Sequence, residues 1–324
     1  MIETVDYHTG GEPFRIVTGG GPELAGSTVL ERRRSAAEAH DHVRRLLVNE
    51  PRGHADMYGC HVTPANDDGA DLGVVFFHNE GYSTACGHGT IALVTWAIDS
   101  GRVPGPDVVV DVPSGRLACH ASIGPDGTVD AVRFRNVPSF ALALGAIVET
   151  SRGPLTVDVG FGGAFYGSID VGTLGLRVEP AALPELIALQ RELRPALDAA
   201  LDVQHPLEPE LRGIYGLIFW EALGDGEQRN VTVFADGEVD RSPCGSGTSA
   251  RLAILHARGE LGIGEPFTHR SIVDSVFRAG IDGTTEVAGV PAVDTWVQGS
   301  AYRTGRHEFS LDPRDELGDG FLLR

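Results

Sequence analysis

Cys86 and Cys244 stand in near-copies of one short motif, almost half a chain apart in 324 residues. The first reads Ala85-Cys86-Gly87-His88-Gly89-Thr90 and runs into Ile91-Ala92-Leu93. The second reads Pro243-Cys244-Gly245-Ser246-Gly247-Thr248 and runs into Ser249-Ala250-Arg251-Leu252-Ala253. Each is Cys-Gly-x-Gly-Thr ahead of a helix-forming stretch. A thiol is an acid and its thiolate a base, so two of them on opposite sides of one substrate suit proton removal on one face and return on the other. The duplicated motif therefore points to stereochemical inversion at carbon.

Each cysteine falls at the predicted start of a helix, over Thr90 to Ile98 with Gly101 as the stop and over Thr248 to Arg258 with Gly259 as the stop. Free N–H groups and the macrodipole stabilise an anion there. Such a place is expected to lower a thiol from about 8.5 and to offer N–H donors to a substrate carboxylate. The glycines let a ligand approach the backbone closely. Without an electron sink, a carbanion next to a carboxylate must be stabilised by donors around that carboxylate. One cysteine would be thiolate and the other thiol. A lone cysteine reads first as a small buried residue; the repeated frame reverses that reading for Cys86 and Cys244. Cys60 and Cys119 have no such frame and read as structural.

The elements that must position the thiols alternate in type. Strands are expected over 72–77, 107–112, 132–135, 157–160, 214–220 and 230–234, with a turn at Ala235-Asp236-Gly237. A long helix is expected from Ala181 to Val203, where Leu183, Leu186, Leu189, Leu193, Leu197 and Leu201 recur at helical steps. Pro195 should kink or split it. Both halves repeat strand, turn, Cys-Gly-x-Gly, helix. The expected architecture is α+β, with two similar domains and a cleft between them. Antiparallel sheets fit better than a doubly wound sheet, because several strands lie too close together for helical crossovers. The expected division is 1–135, completed by 305–324, and 136–304.

Composition excludes several classes. The formal net charge is −19 with no basic stripe, so nucleic acid and anionic membranes are not expected partners. All 26 basic residues are arginine; with no lysine, Schiff-base chemistry on a pyridoxal or carbonyl group is excluded. The start Met1-Ile2-Glu3-Thr4-Val5-Asp6 carries no signal-peptide pattern, no apolar run approaches the roughly 20 residues of a membrane span, and four cysteines do not make a disulfide framework. A cytoplasmic location with reduced thiols is expected. His8, His54, His61, His78 and His88 show no metal-ligand spacing and there is no Cys-x-x-Cys, so no metal is expected. His54 and Asp56 read as a satisfied pair on one face of a strand. His8 and Glu12 belong to a fold-defining loop, and Thr18-Gly19-Gly20-Gly21-Pro22 reads as a turn.

These residues resemble the proline racemase superfamily over essentially the whole chain. The matching segments are His8-Thr9-Gly10-Gly11-Glu12-Pro13, Arg52-Gly53-His54-Ala55-Asp56-Met57-Tyr58-Gly59, Asn79-Glu80-Gly81-Tyr82-Ser83-Thr84, Gly162-Gly163-Ala164-Phe165-Tyr166, Asp240-Arg241-Ser242-Pro243-Cys244 and Asp319-Gly320-Phe321-Leu322-Leu323. The resemblance implies the fold of diaminopimelate epimerase: two pseudo-symmetric domains, each a strongly curved sheet around a central helix, with the active site in the interdomain cleft. It implies cofactor-independent chemistry on proline or hydroxyproline, with Cys86 and Cys244 as the acid/base pair. Gly87, His88, Gly245 and Ser246 would line the carboxylate site, and Asp240 would meet the ring nitrogen. Expected partners are that small substrate and a second copy in a homodimer.

One departure leaves the reaction open. The segments around Glu80-Gly81-Tyr82, Ala164-Phe165-Tyr166 and the tail look most like trans-3-hydroxy-L-proline dehydratases, which typically carry threonine where Cys244 stands. Dehydration needs one base, inversion a second acid. The chain also lacks the histidine that hydroxyproline 2-epimerases carry upstream of the second motif, where Tyr215 lies. Inversion is the reading preferred on Cys244, dehydration is the rival, and a thiol redox switch or a binding site without turnover is the remote third.

Overall fold

The computed structural model describes residues 1–224 and 226–323, so Asp225 and Arg324, the last residue of the expected returning segment, lie outside it. The chain divides into two compact units, Met1–Phe134 with Gly299–Arg324, and Arg135–Gln298. Among the described residues no helix is long and apolar enough to cross a membrane.

The first unit opens with the hairpin β1 (Ile2–Thr9) and β2 (Glu12–Gly19), followed by α1 (Val29–Ala39) and α2 (Asp41–Val48). Next come β3 (Tyr58–Thr63), β4 (Leu72–His78), the helix α3 (Gly87–Asp99), β5 (Asp107–Val112), β6 (Gly115–Ile123) and β7 (Val129–Arg135). The second unit holds β8 (Phe140–Thr150), β9 (Gly153–Phe161), β10 (Phe165–Asp170), α4 (Leu183–Ala200), β11 (Ile214–Gly224), β12 (Glu227–Phe234) and β13 (Glu238–Asp240). It closes with α5 (Gly245–Ala257), β14 (Phe267–Ser271), β15 (Val276–Val287) and β16 (Val290–Gly299), after which β17 (Ala301–Phe309) returns to pair with β1. This return begins ahead of residue 305, because β17 pairs with β1 from Ala301 onward.

The two units carry the same pairing order. In the first, β17–β1–β2 are antiparallel, β2–β3 parallel, β3–β4 antiparallel, β4–β5 parallel and β5–β6 antiparallel. In the second, β8–β9–β10, β10–β11, β11–β12, β12–β14 and β14–β15 repeat those senses one for one. The fold is α+β, two pseudo-symmetric units, each a curved mixed sheet around one helix. α3 touches β1, β2, β3, β6 and β17, and α5 touches β8, β9, β10 and β15. A helix surrounded in this way is buried on every side: α3 from Gly87 to Ala97 and α5 from Gly245 to Leu255.

Three expectations are corrected. The sheets are mixed rather than antiparallel, because the parallel pairs fall where a helix carries the chain across: α1 and α2 between β2 and β3, α3 between β4 and β5, α4 between β10 and β11, and α5 between β12 and β14. Pro195 does not split its helix, since α4 runs through it. The buried Leu186, Leu189, Leu193 and Leu197 hold both sides of the proline, and Arg194 donates to the Ile214 and Ala235 carbonyls at 2.8 and 2.7 Å. His54 and Asp56 share no strand; Asp56 has φ 65°, which breaks any extended run, and His54 Nδ1 meets the Ala55 carbonyl at 2.8 Å.

Candidate active site

Cys86 is the N-cap of α3, in extended backbone with φ −153°, and its Sγ accepts the Gly89 N–H at 3.3 Å. The chain reaches this position because β4, buried on both faces, delivers it to the mouth of the sheet. Thr90 closes the first turn, its N–H and its hydroxyl both donating to the Cys86 carbonyl at 2.9 Å. The two ring nitrogens of His88 lie 3.6 and 3.5 Å from the sulfur. The ring stands edge-on to Tyr58 at 5.0 Å and Phe14 at 5.7 Å. Burial pushes the imidazole down to about 3, so it is neutral at physiological pH and cannot pair with a thiolate as a cation.

Cys244 is the N-cap of α5, but here φ is +63°, a conformation a side chain rarely adopts, and no side-chain capping bond forms. Non-glycine residues held there cost roughly 1–3 kcal/mol and cluster at functional sites. The strain is anchored by Ser242, whose Oγ accepts the Cys244 N–H at 3.1 Å, and by Asp240, whose Oδ1 accepts the Ser242 N–H at 2.8 Å. The Cys244 thiol lies 3.9 Å from the Tyr166 hydroxyl, and that hydroxyl lies 2.7 Å from Ser246 Oγ. Tyr215 takes part too, its ring edge-on to Tyr166 at 5.8 Å and stacked on Phe234 at 5.5 Å.

The electrostatics of this second motif reverse one expectation. Burial, and then the charge of Asp240, push the Cys244 thiol up to about 12, against smaller downward pulls from the Gly247 N–H, Thr232 and Tyr166. The helix N-terminus does pull this thiol down, through the Gly247 N–H, but desolvation of the charged form outweighs it. Burial likewise raises Asp240, in spite of the Ser242 bonds. Cys60 and Cys119 are raised by burial alone, in keeping with their structural reading.

The fourth residue of each motif has a steric reason. A Cβ on Gly89 would lie 2.4 Å from the Phe14 ring and 2.7 Å from Cys86 Sγ, and one on Gly247 would lie 2.9 Å from Cys244 Sγ. The spacing Cys-Gly-x-Gly thus gives the sulfur room over the first turn of its own helix. Within the first unit Cys86, Gly87 and His88 are together, and within the second Asp240, Cys244, Gly245 and Ser246 are together. Tyr166 was not singled out as a site residue by motif reasoning; its cue was the Gly162-Gly163-Ala164-Phe165-Tyr166 segment. His8 accepts the Gly11 N–H at 3.2 Å and Glu12 is fully buried, as suits a loop that shapes the hairpin. Among the described residues no group of three His, Cys, Asp or Glu side chains is arranged to hold a metal ion.

Comparison with known proteins gives concordant results. The proline racemase family matches residues 4–322. A trans-3-hydroxy-L-proline dehydratase of Bacillus cereus is 44% identical over all of this chain and 98% of its own length. A 3-hydroxyproline 2-epimerase of Burkholderia multivorans is 46% identical, over all of this chain and 98% of its own. The crystal structure of a hydroxyproline epimerase from Agrobacterium vitis, with bound trans-4-hydroxy-L-proline, superposes with a TM-score of 0.93 at 34% identity, over 99% of this chain and 95% of that one.

Proposed function

The chain belongs to the proline racemase family, and we propose that it inverts Cα of a hydroxyproline, 3-hydroxyproline before the others, with Cys86 and Cys244 as the acid/base pair. The observation that carries this reading is a cysteine at the N-cap of the central helix in both units. The choice of ring is supported by two relatives of 44% and 46% identity whose names differ in reaction yet share 3-hydroxyproline.

The raised Cys244 thiol sets the starting state. Cys86 accepts an N–H at a helix N-terminus and serves as the thiolate; Cys244, raised by burial and Asp240, serves as the thiol. The Cys86 thiolate takes the Cα proton from one face. The electron pair left on Cα is delocalised into the carboxylate, held by helix N-terminal N–H groups from Gly87, His88, Gly245 and Ser246. The Cys244 thiol gives its proton to the opposite face. The product is the C2 epimer, and the cysteines have exchanged protonation states, so the next turnover runs in reverse. With no lysine to hold a pyridoxal aldehyde, no such cofactor enters, and activity is expected to withstand exhaustive chelation; loss that a divalent cation restores would refute this.

Asp240 is assigned to the ring ammonium. Its folded value is raised, so the carboxyl is protonated, and its attraction for a cation lost, at pH values where an ordinary carboxylate is still ionised. The acid limb of kcat/KM is therefore expected between the usual carboxylate value and about 6, falling about tenfold per pH unit below it. Asp240→Asn should flatten that limb and lower kcat/KM throughout, with little change in Tm. A variant with an unchanged pH profile removes Asp240 from the site.

Dehydration is the second reading, favoured by the dehydratase relatives. There Cys86 would take the same proton, the 3-hydroxyl would leave as water with a proton from a nearby acid, and the enamine would become a cyclic imine. The test is to incubate the protein separately with trans-3-hydroxy-L-proline, trans-4-hydroxy-L-proline and L-proline. Chiral chromatography reads inversion and borohydride trapping reads imine. Inverted 3-hydroxyproline is the expected result. Imine from the 3-hydroxy substrate, with no inversion of any of the three, overturns it and leaves dehydration. No turnover of any of them, with the thiols reduced, sinks both readings.

A further inference from the structure

We propose that Tyr166 is a positioning residue for Cys244: its hydroxyl turns between Ser246 Oγ and Cys244 Sγ, accepting from the thiol and donating to the thiolate. The geometry is a three-membered chain in the interior of the second unit, with Cys244 Sγ 3.9 Å from the phenol oxygen and Ser246 Oγ 2.7 Å from it on the other side. β10 aims the side chain at the first turn of α5, and the ring is 1% exposed. Ala164, Ile218 and Ala250 pack around Tyr166 and Cys244, with Tyr215 edge-on to the phenol ring. The ring is clamped, and the freedom that remains is rotation of its O–H.

That freedom meets a specific need. The Gly247 N–H and the Thr232 hydroxyl support the Cys244 sulfur, yet burial and Asp240 still hold the thiol well above its ordinary value. A buried thiolate is costly unless its donors are sufficient, and Asp240 adds a like charge from β13, so a further donor from Tyr166 matters. The other groups that bear on Cys244 or on Tyr166 are the Gly247 N–H from α5, the Thr232 hydroxyl from β12 and Tyr215 from β11. Burial holds the phenol well above its ordinary value, so Tyr166 keeps its proton and acts only as a donor or acceptor. With Cys244 as thiol, S–H points to the phenol oxygen and the phenol donates to Ser246. With Cys244 as thiolate, the phenol donates to sulfur and the Ser246 hydroxyl donates to the phenol. Rotations of the hydroxyls reverse the chain; no bond to carbon forms or breaks, and no net proton moves along it.

The inference rests on the reading of Cys244 as an acid/base group, yet its test needs no turnover. In the full chain, alkylation of each cysteine by iodoacetamide is followed across alkaline pH by peptide mass spectrometry. Loss of a donor to a thiolate corresponds to roughly one pKa unit. Tyr166→Phe is therefore expected to slow Cys244 alkylation about tenfold at a given pH and to shift its profile upward by about one unit. Cys86 should react at the wild-type rate. Ser246→Ala removes an acceptor from the thiol state and a donor from the thiolate state but leaves the phenol beside the sulfur, so the Cys244 profile there should shift less than in Tyr166→Phe. A Cys244 profile unchanged in Tyr166→Phe overturns the proposal, and so does equal slowing at both cysteines, which marks a general packing effect. If the profile shifts as expected while the wild type inverts no substrate, the relay stands and the two-base reading fails.

Discussion

Replacing either Cys86 or Cys244 with serine is expected to abolish inversion, by roughly 10²–10⁴-fold or more, the range for loss of one positioned acid or base. Serine is nearly isosteric with cysteine and keeps an N-cap acceptor at position 86, where Gly89 already donates, so circular dichroism and Tm should change little. The two variants should fail differently. With Cys86 intact and Cys244 gone, a proton can still be taken from one face and returned to it. Solvent deuterium should then enter one epimer with retained configuration. Cys86→Ser should show the same behaviour for the other epimer, through Cys244. Deuterium wash-in read by mass spectrometry, with chiral chromatography alongside, separates these outcomes. Full inversion in either variant sinks the two-base reading. Retained exchange of both epimers by one variant would show that a single group reaches both faces.

Much of this site was legible in the sequence because it is carried by local spacing. Cys-Gly-x-Gly-Thr followed by an apolar stretch marks a helix start, and both cysteines are N-caps. The second glycine is required by contacts within one turn, so its position repeats with the motif. What spacing could not show is anything that depends on burial or on contacts across the sheet. A helix dipole alone would lower the thiol at both motifs. At Cys244 the surroundings of α5 are dry and Asp240 is near, and the shift runs upward. Tyr166 meets Cys244 across 78 residues of chain, and no periodicity relates β10 to the first turn of α5. The matching pairing order of the two units was likewise hidden, because the strand equivalent to β8 in the first unit is β17, at the other end of the chain. A repeat displaced in this way does not show as two consecutive copies along the chain.

Gly247→Ala is expected to lower activity far more than stability. Alanine in a helix is favoured over glycine by up to about 1 kcal/mol. The added Cβ meets Cys244 Sγ at 2.9 Å, Cys244 Cβ at 3.3 Å and Ile218 Cδ1 at 3.3 Å, all side-chain atoms. The relief open to the chain is to move the sulfur, whose backbone at φ +63° already tolerates little adjustment. Overpacking of this kind costs about 1–3 kcal/mol, which the helix preference partly offsets, so Tm should fall by only a few degrees. Activity has no such offset: a misplacement of about 1 Å at a reacting group costs on the order of 100-fold. Gly89→Ala should behave otherwise, because its Cβ would lie 2.4 Å from the Phe14 ring. Phe14 is fully buried against Tyr58, Phe76 and His88, with nowhere to retreat. That variant should lose activity and stability together. Thermal melts and kcat/KM for the pair decide the matter. If Gly247→Ala turns over at the wild-type rate, Cys244 does not need its position, and the reaction is left to Cys86 alone.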